Sequence, residues 1–114
     1  MTIERIEPGA RMSQVAIHND TIYLAGQVGN GKDAATQTED MLAEIDRLLE
    51  KAGSSKSQIL SATIWLATMD DFASMNAVWD AWIDPQNPPT RACGEARLAT
   101  SDYLVEAIIV AAKG

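Results

Sequence analysis

The segment NPPTRACGEARL, residues 87–98, carries Arg91 ahead of a run in which small and charged residues alternate. Read as a strand, it puts Arg91, Cys93, Glu95 and Arg97 on one face and Thr90, Ala92, Gly94, Ala96 and Leu98 on the other. A solvated outer face explains such a pattern as well as a binding site does. Glu106 is harder to dismiss, because it is the only charge in YLVEAIIVAA, residues 103–112. A carboxylate in an apolar strand is costly unless it is paired or hydrogen-bonded. Its partner is either structural, with Arg91 and Arg97 the candidates, or functional. Desolvation raises a carboxylate's pKa, which suits an acid or a base.

Other side chains were weighed in the same way. Asn76 falls about 40° from Phe72 on a helical projection, at the margin of an apolar arc, where an amide either closes a buried network or looks into a cleft. The structural role is the simpler of the two. GQVGNGKD holds three glycines and a lysine, but in G-x-x-G-x-G order and with no Ser or Thr after Lys32, so it reads as a loop and not as a phosphate cradle. His18 lies in HND at a turn, and with Cys93 the sole cysteine it offers the one conceivable Cys–His nucleophile pair. A lone cysteine among small residues is more simply a packed hydrophobe. Trp65, Trp79 and Trp82 occupy positions where periodicity calls for core or interface.

These residues need a frame. TIERI, QVAIH (14–18) and TIYLA (21–25) read as short strands, the last two joined at Asn19–Asp20 as a hairpin. From Asp33 onward Met41, Leu42, Ile45, Leu48, Leu49 and Ala52 make one helical stripe that Gly53 is placed to end. ILSATIWLA (59–67) reads as a buried strand. Asp70 or Asp71 is expected to cap a second helix, with Phe72, Met75, Val78, Trp79, Trp82 and Ile83 on one face, before Pro85, Pro88 and Pro89 stop it. Residues 90–98 and 103–111, linked by ATSD, are expected to close the chain as a hairpin.

The order β-β-β-α-β-α-β-β implies an α+β domain over residues 1–114, with two helices on one face of a single mixed sheet. Apolar residues on both faces of the last strand then call for something to cover the second face, and oligomerisation is the economical answer. Lys and Arg number 9 against 16 Asp and Glu, a net charge of −7 with no basic track, which disfavours nucleic acid. No apolar run approaches the roughly 20 residues of a membrane span, and the N-terminus lacks a signal-like apolar stretch. A soluble, untargeted, cytoplasmic protein without a membrane partner is expected. One cysteine allows no intrachain disulfide and no thiolate metal cluster.

PPTRACGEARL followed by LVEAI, with arginine and glutamate fifteen apart, resembles the closing motif of the RidA/YjgF family of reactive enamine/imine deaminases. SQV, YLAGQV and DDFASMNAVWDAW resemble further family segments in the same order, so the likeness spans nearly the whole chain. It implies a chorismate-mutase-like α+β fold and a homotrimer with a ligand cleft at each subunit interface. It also implies hydrolysis of small 2-imino or 2-enamino acids, such as 2-iminopropanoate or 2-aminoacrylate, to 2-keto acids and ammonia, without metal or organic cofactor. Arg91 would grip the substrate carboxylate, a bidentate task suited to a guanidinium. Glu106 would place the attacking water, backbone groups near Gly26 and Cys93 would bind substrate, and Asn76 would line or support the site. The chain departs from the family at Met12, where many members have a tyrosine that covers the substrate, and at Gly94 and Ala107, where large aliphatics are usual. The same cleft could instead serve a non-catalytic module that binds a small carboxylate. A nuclease role, sometimes attached to the family, fits poorly with the acidic charge.

Overall fold

The computed structural model describes residues 2–114. Its first strands form an antiparallel meander: Ile3–Pro8 (β1) pairs with Ser13–His18 (β2), and β2 with Thr21–Leu24 (β3). Asn19 takes φ 56 in the tight turn, a left-handed conformation that asparagine tolerates. Alternation sends Val15, Ile17, Ile22 and Leu24 into the core and leaves Tyr23 exposed on the opposite side. A two-residue strand that the sequence did not suggest, Gln27–Val28 (β4), follows directly.

Asp33 caps the helix Ala34–Lys51 (α1). Its carboxylate accepts from the Thr36 N–H while the Thr36 hydroxyl accepts from the Asp33 N–H, a reciprocal capping box. Met41, Leu42, Ile45, Leu48 and Leu49 are all buried, so the stripe is the core face. At the far end Gly53 takes φ 81, the Ser54 N–H donates to Leu49 O, and the Gly53 N–H donates to Glu50 O. That is a Schellman stop, with glycine where a Cβ would strain the backbone.

The second helix, Phe72–Trp82 (α2), starts differently from expectation. Asp71 holds the N-cap position, but its side chain makes no capping hydrogen bond; a 3-10 turn at Met69–Asp71 leads in, and the Thr68 hydroxyl accepts from the Asp70 N–H. Only Met75 and Trp79 of its apolar arc are fully buried, whereas Val78, Trp82 and Ile83 are partly buried and Phe72 is exposed. The cause is placement: α2 packs mainly against α1 instead of lying across the sheet.

The closing hairpin is not formed. Strand order is β1-β2-β3-β7-β5-β6, with β4 on β7, so Ile59–Leu66 (β5) separates Thr90–Glu95 (β6) from Val105–Ala112 (β7). β7 runs antiparallel to β5 and β6 parallel to it. A parallel pair needs a long crossover, which α2 supplies, and the two most apolar strands thereby take the sheet centre. The ATSD loop bridges the end of β5 instead of turning back. On its two sides the Ala96 N–H donates to Leu66 O and the Ala67 N–H to Leu104 O. The strand expected over 90–98 therefore ends at Glu95.

The result is a single mixed sheet with both helices on one face, as the element order implied, with β4 added. Ala62, Ile64 and Leu66 of β5 and Val105, Ala107, Ile109 and Ala111 of β7 meet the helices. Trp65, Ile108, Val110 and Tyr23 stand on the other face, which no element of the chain covers. Among the described residues no helix is long and apolar enough to cross a membrane.

Candidate functional site

β5 acts as a ruler, because directly paired residues of neighbouring strands share a face. Ala62, Ile64 and Leu66 face the helices, and their partners on β6 are Arg91, Cys93 and Glu95. Trp65 faces the open side, and its partners are Gly94 on β6 and Glu106 on β7. Arg91 and Glu106 therefore lie on opposite faces, about 10 Å apart across the sheet and about 10 Å along it. One chain does not bring them together.

Around Arg91 the surroundings are those of a cation held in place but not neutralised. Its guanidinium sits 5.4 Å from the centroid of the Trp79 ring, a cation–π contact. Among the described residues it makes no ion pair, so its forked N–H donors are uncommitted. Asn76 lies one turn before Trp79 on α2 and so shares this edge. Its Oδ1 is buried without a hydrogen-bond partner among the described residues, which marks a place for an incoming donor. Burial pushes the Cys93 thiol up while the charge of Arg91 pulls it partly back. A protonated thiol is a poor nucleophile. His18 is on the open face of β2, four strand spacings or about 19 Å across the sheet from Cys93 and about 17 Å further along the strands, so no Cys–His pair forms within the chain.

Glu106 belongs to a second group. Its carboxylate makes no ion pair with Arg91 or Arg97, and its same-face neighbours are Trp65 and Val28. A Cβ built on Gly26 would lie 2.5 Å from Glu106 Oε2, so the missing side chain is what lets the carboxylate rest against that backbone. The Ala25 N–H donates to Gln14 O, which brings Met12, 47% exposed in the β1–β2 turn, to the same end of the sheet. The candidate residues thus fall into two sets: Glu106, Gly26 and Met12 at one end, and Arg91, Cys93 and Asn76 along the β6 edge.

The glycine segment before α1 is packed closely against that helix. A Cβ on Gly29 would run into the Gln37 carbonyl and the Met41 N–H. A residue passed over in the sequence holds this region together: Gln37 is buried, and its amide donates to Gly31 O (3.2 Å) and Asp102 O (2.9 Å) while accepting from the Leu104 N–H (2.8 Å). The available signal was its place one turn before Met41 on the apolar stripe. A concavity of about 790 Å³ opens at the end of β5, walled by Ala67, Glu95, Arg97, Leu98 and Tyr103 among others, and neither Arg91 nor Glu106 borders it. Among the described residues no three His, Cys, Asp or Glu side chains are gathered into a metal site.

Comparison with known proteins agrees with this frame. Residues 2–113 match the family model described as Endoribonuclease L-PSP. A RutC family protein of Haemophilus influenzae is 50% identical over 114 residues, covering 97% of this chain and 98% of the relative. The RutC family protein YoaB of Escherichia coli is 51% identical over 113 residues, 98% of this chain and 99% of its own length. The crystal structure of a YjgF family member from Neisseria meningitidis superposes with a TM-score of 0.99 at 46% identity, covering 100% of this chain and 97% of that one. A family model over nearly the whole chain, relatives about half identical along nearly their full length and a superposing YjgF structure leave one assignment: the chain belongs to the RidA/YjgF family.

Proposed function

We propose that the protein hydrolyses small 2-imino and 2-enamino acids to 2-keto acids and ammonia, in a site built between copies of a homotrimer. The observation that carries this reading is that a cation and a carboxylate, Arg91 and Glu106, each have no ionic partner among the described residues and lie on opposite faces of one sheet. A neighbouring copy that covers the open face would set Glu106 of one chain opposite Arg91 of another. The apolar side chains beside Glu106, Trp65, Ile108 and Val110, suit such a covering.

The chemistry asks little of the protein. The substrate carboxylate is held bidentately by Arg91, with Cys93 and Gly26 offering backbone groups and Asn76 supporting. In the protonated imine the C2 carbon is already electrophilic. Glu106 accepts a proton from a water whose oxygen adds to C2, giving a tetrahedral amino alcohol. Glu106 passes that proton to the nitrogen, the C–N bond breaks with its electron pair leaving on ammonia, and the hydroxyl returns its proton to Glu106 as the carbonyl forms. Positioning and charge stabilisation then account for the acceleration. The matching family model is described as a ribonuclease, but a chain of net charge −7 offers no track for a phosphate backbone.

Release of pyruvate from 2-iminopropanoate generated in situ tests the reading against buffer and two variants. Wild type should accelerate release. Arg91→Ala should lose both ligand affinity and turnover. Glu106→Gln should keep affinity for a carboxylate ligand while turnover falls by about 10²–10⁴-fold, the span of general acid–base catalysis. Wild type no faster than buffer would overturn the enzyme reading and leave a carboxylate-binding module in the same cleft.

A further inference from the structure

Trp65 and Gly94 are a matched pair beside Glu106. Trp65 lies in register with Gly94 on one side and with Glu106 on the other, all three on the open face. A Cβ added to Gly94 would stand 3.1 Å from Trp65 Cζ3, so the indole's six-membered ring lies over that bare backbone. The ring leans towards β6 and away from Glu106. Trp79 and Trp82 have other tasks in the chain, the first beneath Arg91 and the second donating to Asp46 Oδ2 at 2.8 Å. Trp65 stays half-buried with its ring on the uncovered face.

Geometry connects this pair to a ligand. Directly opposed Cβ atoms are about 5 Å apart, so the indole begins within one side-chain contact of the carboxylate. Leaning over Glu106 it would cover the carboxylate. Leaning over Gly94 it leaves the carboxylate open and stands as a flat wall next to it. A substrate whose C2 receives water from Glu106 has its C3 one bond away, and the indole is an apolar surface within reach of what C3 carries. Aromatic and bulky apolar groups gain from packing on an indole, and a methyl group gains little.

We propose, resting on the role of Glu106 given above, that Trp65 seated by Gly94 selects the substrate side chain, so that the site takes 2-imino acids with aromatic or bulky apolar side chains in preference to 2-iminopropanoate. The test is calorimetric titration of wild type, Trp65→Leu, Trp65→Phe and Gly94→Val with pyruvate and phenylpyruvate, the products of the small and the aromatic imine. Turnover of the two imines is measured alongside. Wild type should bind phenylpyruvate about tenfold or more tightly than pyruvate, the discrimination an apolar pocket supplies. Trp65→Leu should lower phenylpyruvate affinity more than pyruvate affinity and so erase that preference. Trp65→Phe, the milder change should Trp65→Leu fail to fold, should keep part of it. Gly94→Val retains the indole but unseats it, and should lower phenylpyruvate affinity more than pyruvate affinity.

A wild type that binds the two equally, or binds neither, overturns the proposal, as does a preference that survives both Trp65→Leu and Gly94→Val. The two readings fail separately. Selective binding that depends on Trp65 without imine turnover removes the deaminase and keeps the selector. Turnover of both imines, unaltered by any of these changes, removes the selector and keeps the deaminase.

Discussion

Glu106 owes its position to a residue with no side chain. The Gly26 backbone gives the carboxylate room, and a methyl group there would sit 2.5 Å from Oε2. Gly26→Ala should therefore displace the carboxylate without disturbing the core. A misplacement of about 1 Å is expected to cost roughly 10²-fold in imine turnover, and steady-state rates at unchanged melting temperature would show it. A second carboxylate matters for stability instead. Glu7 accepts from Arg47 (2.7 and 3.1 Å) and Lys51 (2.8 Å), which together hold its pKa down to about 2 from 4.5. A folded pKa below the unfolded one gives stability that is complete above about 4.5 and lost as pH falls towards 2. Melting of Glu7→Gln against wild type should show a gap at pH 7 that closes over that window and narrows with added salt, since the pair is exposed. The lone charge of Glu106 in an apolar strand was legible from residue types alone. The freedom of Arg91 from any acid was not, because whether a surface arginine finds a partner depends on what the fold places nearby.

At the scale of elements, the apolar stripe of α1 and its Gly53 stop were readable, because they are local chemistry that repeats between sequences. The clamp that Gln37 forms is not local, since it joins α1 to residues 31, 102 and 104. Gln37→Ala would remove the partner of the partly buried Leu104 N–H and of two carbonyls that water can reach. A loss of about 1 kcal/mol is expected, the net worth of a typical hydrogen bond, and denaturant unfolding with an unchanged m-value would register it. α2 was less readable, because an 11-residue helix packed mainly on α1 buries fewer of its apolar positions than its periodicity promises. The closing strands show the same limit. ATSD between two apolar runs carries the signal of a hairpin, yet the loop spans β5, because pairing partners are chosen by what is buried beside them and not by the connection.

For the whole molecule, the distribution of candidate residues over two faces makes a site shared between chains a measurable proposition. Mixing Arg91→Ala and Glu106→Gln protomers under conditions that exchange subunits should restore activity, because some interfaces then join an intact arginine to an intact glutamate. Random assortment gives about a quarter of wild-type sites in a closed ring of heterologous contacts. Activity that stays at the level of the separate variants would mean that both residues act from one chain. Light scattering on wild type should give a trimer, and a monomer would remove the basis for a shared site.

What the sequence determined by itself is the two helices, the longer strands and the residues whose chemistry stands out, because these follow from periods of two and 3.6 and from the cost of a charge among apolar neighbours. It also carried the family, through the motif around Arg91 and Glu106. The tertiary structure alone decided that β5 lies between the last two strands, and with that the register that sends Arg91 and Glu106 to opposite faces. The physical reason is that strand pairing is non-local: a shift of one residue or one neighbour reverses every side chain in the strand, and no segment read alone contains that information.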